Sequence, residues 1–149
     1  INYDNDHYMK ILLDEAVEIV KSLSEVHLNY LSLIFLCKQT KMNGINSIES
    51  LKEHCEYICA KMPVTNGIES SIPFLYMLRL LTISLGSAAD VYSKRYNLDI
   101  DKVKEILPLA MNSIPGDYSL TPVGIIIAII NIRNKTNLNL EFKIWIKSI

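Results

Sequence analysis

The chain has 149 residues, 50% of them hydrophobic, with 15 Lys and Arg against 16 Asp and Glu for a formal net charge of −1. At this length one domain is expected, burying about 70% of its unfolded surface, and the near-neutral charge argues against non-specific nucleic-acid binding. The cysteines Cys37, Cys55 and Cys59 are odd in number, which suggests no disulfide framework and makes a reducing cytoplasm the expected compartment.

Tyr3 to Leu23 reads as an amphipathic helix. Tyr8, Ile11, Leu12, Ile19, Val20 and Leu23 form its apolar stripe, with acids opposite and Asp4 or Asp6 as cap. Ser24 starts a second helix over 25–41. Its Ser24-Glu25-Val26-His27 start has no Glu or Gln at the capping-box position. Leu28, Leu31, Ile34 and Phe35, with Tyr30, Leu33, Leu36 and Cys37 around them, make it apolar over most of its circumference. A core position follows.

Asn43-Gly44-Ile45-Asn46 is a turn, and Asn46 with Glu49 resembles a capping box for a third helix ending near Lys61 or Met62. Pro63 stops it. Residues 64–71 form a loop around Thr65-Asn66-Gly67. Pro73 opens a nearly all-apolar helix over 73–86, FLYMLRLLTISL from Phe74 to Leu85, ended or bent at Gly86. Ser87 to Tyr96 is a further helix. Asp99 or Asp101 caps a short one to Leu107, Pro108 restarts the chain, and Ile114-Pro115-Gly116-Asp117 is a turn.

Tyr118 to Thr121 is a short extended segment. Thr121 then caps a helix over 122–133 with Pro122 at its first position. Val123 to Ile132 is apolar on every face except Asn131, a buried run of about ten residues against the ~20 a bilayer requires. No membrane span is expected. Beyond it the period becomes two. Leu138, Leu140, Phe142, Ile144 and Ile146 alternate with Asn139, Glu141, Lys143, Trp145 and Lys147, as in a half-buried strand. A helix-length connection permits parallel pairing of this strand with 118–121. The fold expected is mainly α: a compact multi-helix domain of roughly five to seven helices with a short two-stranded β element near the C-terminus. Residues 1–149 are read as one domain, and the start at Ile1 without Met suggests the C-terminal part of a longer protein.

Leu120-Thr121, Val123-Gly124, Ile127-Ala128, Asn131, Thr136 and Ile144-Trp145-Ile146 resemble the C-terminal signature of a family of uncharacterised bacterial proteins. Neighbouring families with a similar LT-x-x-G ending resemble abortive-infection, anti-phage proteins. The resemblance covers about the last 30 of the 149 residues and implies no catalytic residues.

Chemistry-bearing patterns are few. His54, Cys55 and Cys59 lie on one predicted helix, with Cys55 and Cys59 on one face. With Cys37 or His27 they are the best zinc candidates, but Cys55 falls on the apolar stripe, where free cysteine packs as a small hydrophobe. His7, His27 and His54 match no H-E-x-x-H pattern. Asp99 and Asp101 lack the glycine and terminal Glu of a calcium loop, and Asp14-Glu15-Glu18 reads as a solvated face. No catalytic, cofactor-binding or metal residue is assigned, and no cofactor. The expected function is non-catalytic, through a protein partner or self-association, with loop 64–71, an apolar helix face and Trp145 as candidate contacts. The alternative is a winged-helix-like DNA-binding domain, since Tyr-x-Leu-Thr followed by Gly and a helix often ends such domains. Its basic candidates are Ser93-Lys94-Arg95-Tyr96, Lys102-Val103-Lys104 and residues 133–147.

Overall fold

Ser24 opens the helix on which the rest is packed. The computed structural model describes residues 2–140, and side chains from Asp6 onward. Among them the order is α1 (Asn2–Val20), α2 (Glu25–Lys38), α3 (Ile48–Lys61), α4 (Ile72–Met77), β1 (Leu81–Ile83), α5 (Ala88–Tyr96), α6 (Ile100–Ile106), β2 (Tyr118–Leu120) and α7 (Pro122–Lys135). Short 3-10 turns at Ile68–Ser71 and Leu109–Ser113 precede α4 and β2. The fold is mainly α with a short two-stranded element, as expected, but among the described residues the sheet is antiparallel and joins β1 to β2.

At the start of α2, the Ser24 hydroxyl accepts from the His27 backbone N–H at 3.3 Å, and His27 Nδ1 accepts from the Ser24 backbone N–H at 3.2 Å. A histidine thus closes the capping box that usually needs Glu or Gln. In α3 the cap is Ser47, paired with Ser50, rather than Asn46 with Glu49. The serine hydroxyl reaches the N–H three residues on, and Asn46 sits outside, its own N–H donating to the Ser50 hydroxyl. α1 begins at Asn2, so Asp4 and Asp6 lie within its span rather than at its cap.

Tyr30 to Cys37 is buried without interruption, so α2 is enclosed on all sides. α7 packs along it and α1 packs on α7. Between α2 and α7 sits a small polar lock. The Asn131 amide donates to Asn29 Oδ1 at 3.1 Å and to the Ser32 hydroxyl at 2.9 Å, and the Asn29 amide donates to the Pro63 carbonyl at 2.9 Å. These groups are satisfied among themselves, which fixes one register between two otherwise greasy helices. Asn131, the one polar residue in an apolar run, is the matching half of Asn29.

The helix expected over 73–86 does not run through. α4 ends at Met77, and Arg79 takes a left-handed φ of 61°. Leu80 N–H then donates to the Leu75 carbonyl at 3.1 Å and Arg79 N–H to the Tyr76 carbonyl at 2.9 Å. This is a Schellman ending, with arginine at the position where glycine is usual. The chain after it turns extended because tertiary bonds hold it so. Thr121 N–H donates to the Leu80 carbonyl at 3.0 Å, the Thr121 hydroxyl donates to the Arg79 carbonyl at 2.7 Å, and Ser84 N–H donates to the Asp117 carbonyl at 2.8 Å. Leu81, Thr82 and Ile83 pair with Leu120, Ser119 and Tyr118.

The partner of the 118–120 strand among the described residues is therefore β1. Residues 138–140 carry no strand, and 141–147 lie outside the described residues. α2 also ends earlier than position 41. The Gln39 side-chain amide leaves with the backbone and pairs with Leu120 at both ends, Nε2 donating to the carbonyl at 3.1 Å and Oε1 accepting the N–H at 2.8 Å. One glutamine amide serves as a third strand for β2. α7, by contrast, runs on to Lys135, two residues past the expected end, where the Thr136 hydroxyl donates to the Ile132 carbonyl at 2.8 Å.

Candidate interaction surface

The thiols nearest to a zinc pattern sit in the core. Cys37 and Cys55 are fully buried and Cys59 is half-buried. Burial pushes Cys37 and Cys55 up to about 12, with the neighbouring Tyr92 hydroxyl pulling each part of the way back, and burial pushes Cys59 up to about 11. Such thiols stay protonated at neutral pH, when the thiolate is the nucleophile and ligand. His27 is occupied as the partner of Ser24 and its ring lies 5.3 Å from Phe74. Burial pulls His54 below the ordinary imidazole value, and its Nε2 is shielded from solvent with no partner. Among the described residues no group of at least three His, Cys, Asp or Glu comes together as a metal site.

Tyr92 packs between α5 and the core with its hydroxyl wholly buried and without a hydrogen-bond partner of good geometry. Burial, and next to it Cys37 and Cys55, raises its pKa well above the ordinary phenol. An unpaired buried hydroxyl has lost its water without replacement. Tyr92→Phe is therefore expected to be neutral or to stabilise by up to about 1 kcal/mol in urea unfolding. A loss larger than that would mean the hydroxyl is bonded to the two thiols in solution.

The basic candidates divide. Arg95 is not free for phosphate. Its guanidinium donates to the carbonyls of Cys37 and Thr40 at 2.8 Å and of Lys38 at 2.9 Å, closing the C-terminus of α2. Lys94, Lys102 and Lys104 are exposed, and the last two share α6 with Asp101 and Glu105. Lys143 and Lys147, with Trp145, lie outside the described residues. Lys38, inside the helix expected over 25–41, is buried. Its ammonium donates to the carbonyls of Ser84 at 2.7 Å and Pro115 at 3.1 Å, and burial lowers its pKa. It ties the two limbs of the hairpin to α2.

What the surface does present is apolar. Ile83 opposes Tyr118 across the sheet, and the Tyr118 ring lies 5.5 Å from that of Tyr76. Met77 and Leu85 are each 80% exposed, Ile83 is 72% exposed, and Phe74 and Tyr76 are partly so. These side chains fall between α4 and the residues just past β1. A second apolar groove of about 360 Å³ runs between α1 and α7, lined by Leu13, Val17, Val20, Ile127 and Ile130 among others. Large exposed apolar patches of this kind mark contact surfaces. The sequence could not single out the first patch, because its residues read as one buried helix. The loop 64–71 lines a different groove, of about 460 Å³, against the 3-10 turn Leu109–Ser113. No helix of the described residues is long and apolar enough to cross a membrane.

One family model matches the chain over residues 1–108 and again over 98–146. The likeness is thus spread along the whole fold, α1 included, and is not confined to the signature around α7. No curated protein and no solved structure matches. The chain belongs to this uncharacterised family.

Proposed function

We propose that this chain is a non-catalytic helical domain of a bacterial cytoplasmic protein whose role is contact with a protein, self-association included. Phage defence is the setting suggested by the LT-x-x-G ending, which neighbouring families that resemble abortive-infection proteins also carry. The observation that carries the reading is the exposure of the apolar side chains Tyr76, Met77, Ile83 and Leu85 on α4, on β1 and just past it, with Tyr76 against Tyr118 of β2. Exposed aromatic and methionine side chains are the kind that anchor interfaces.

DNA binding has less support. A winged-helix reader presents an exposed basic helix, whereas the helix that follows Thr121 is buried from Val123 to Ile129. Arg95 is spent inside the fold. Anisotropy of a labelled duplex, titrated at low and at moderate salt, tests the choice. The expected result is no saturable binding at either. Saturable binding that weakens steeply with salt would overturn the interaction reading.

A further inference from the structure

The polar lock between α2 and α7 has a direction. The Asn29 amide donates to the Pro63 carbonyl and the Ser32 hydroxyl to the Leu28 carbonyl at 2.8 Å. Asn29 Oδ1 and Ser32 Oγ are then left as acceptors, and both take the Asn131 amide N–H groups. Asn131 Oδ1 is left over. Asn131 is 6% exposed and lines the groove between α1 and α7. Among the described residues nothing donates to this oxygen, and it is not sealed from solvent. A nine-tenths buried side chain thus holds an unpaired acceptor at an otherwise apolar groove. Buried polar groups are normally paired, so a donor is missing here.

A donor stands three residues on. Asn134 is exposed, lines the same groove and makes no hydrogen bond among the described residues. Residues three apart share a helix face. A two-fold axis that crosses α7 between them sets the Asn134 amide of each copy against Asn131 Oδ1 of the other, with the two helices antiparallel.

α1, the other wall of the groove, is self-complementary in the same sense. Asp14, Val17 and Lys21 follow at spacings of three and four and form one stripe. All three are exposed, Val17 by 60%. Lys21 meets Glu18 at 3.2 Å, but both ends of that pair are exposed and it holds little. Laid antiparallel on itself, the stripe puts Asp14 over Lys21 at both ends and Val17 over Val17 in the middle. Laid parallel, it sets like charges together. Between the helices no charged residue lines the groove. α1 and α7 therefore call for the same symmetry, and one axis across the groove serves both.

We propose that a second copy of this chain covers the groove, α1 antiparallel on α1 and α7 antiparallel on α7, as a two-fold four-helix interface. Val17, Val20 and Ile130, exposed in the single copy, are covered, and Asn131 Oδ1 gains its donor. The proposal rests on the reading of the chain as a protein-contact module and adds the face and its occupant.

The test uses the full chain and two surface variants, Asp14→Lys and Lys21→Asp, with light scattering across a dilution series at low salt. Circular dichroism on each variant checks that α1 is intact. The wild type is expected to dimerise. Each variant sets like charges together twice and is expected to weaken the dimer at least about tenfold. Mixing the two variants is expected to restore a heterodimer, because every reversed charge then faces its opposite. Two weakened variants that fail to recover on mixing would overturn the antiparallel pairing. A dimer indifferent to both reversals but lost in Ile83→Lys would move self-association to the surface around β1, overturning this proposal with the interaction reading intact. A wild type monomeric at every concentration would overturn self-pairing and leave the duplex titration to judge that reading.

Discussion

Replacing Gly124 by alanine is expected to cost about 3 kcal/mol of folding stability, the upper end of what overpacking a well-filled site costs. On helix propensity alone the sign would be opposite, because alanine is favoured over glycine by about 1 kcal/mol in a helix interior. Contact reverses it. A Cβ at position 124 would lie 2.6 Å from the Leu80 carbonyl oxygen and 3.2 Å from Leu120 Cβ. The first of these is backbone and cannot rotate away. It is also the acceptor for Thr121 N–H, so moving it breaks the bond that turns the chain from β1 into the sheet. In a chain of this size such a loss lowers Tm by roughly 6–12 °C. Urea unfolding monitored by circular dichroism measures it. A change of less than about 0.5 kcal/mol would mean that α7 and the hairpin can part without cost. The glycine is there for close approach, not for an unusual backbone angle.

What could be read in advance was local. Thr121-Pro122 and Ser87 start helices in the structure as they do on paper, because a cap hydroxyl and a helix-start proline act within one turn. α2 and α7 were recognisable as core helices, since side chains apolar on all faces have nowhere else to go. β1 was not, and the reason is general. A continuous apolar run has no period that separates helix from strand, and the residues that make Leu81–Ile83 a strand are Tyr118–Leu120, far along the chain. The stop at Arg79 was hidden for the same kind of reason. A left-handed helix ending is recognised by glycine, and here a costlier residue takes the position because the Leu80 and Arg79 carbonyls are needed by Thr121.

The candidate site followed the same division. That Cys55 would pack rather than project was legible from its place on the α3 stripe. The apolar surface around Ile83 was not, because it exists only once the predicted helix is broken. Polar residues at helix ends were the hardest to place. Lys38, Gln39 and Arg95 look like solvated termini in the sequence, yet each reaches carbonyls on another element. Composition says that a side chain is a donor and is silent on which acceptor the fold brings to it.

Arg95 carries the second large expected effect. Arg95→Ala is expected to cost about 3 kcal/mol, the scale of hydrogen bonds made by a charged group to acceptors that would otherwise be left wanting. The carbonyls concerned, of Cys37, Lys38 and Thr40, end α2, where the helix dipole is negative and a cation is favoured. Arg95 also spans two elements, so its loss loosens α5 from α2. Arg95→Lys separates charge from shape. An ammonium keeps the favourable interaction with the dipole but cannot present the planar fork, and it is expected to recover less than half of the loss. Thermal unfolding of the two variants beside the wild type gives both numbers. Alanine within about 0.5 kcal/mol of wild type would release Arg95 for a surface role and return it to the candidates for phosphate contact. Full recovery by lysine would instead mean that charge at the helix end matters and the fork does not. The intermediate result assigns the stability of the α2–α5 junction to guanidinium geometry. It would also explain why a residue in the middle of the most basic stretch of α5 contributes nothing to a basic surface.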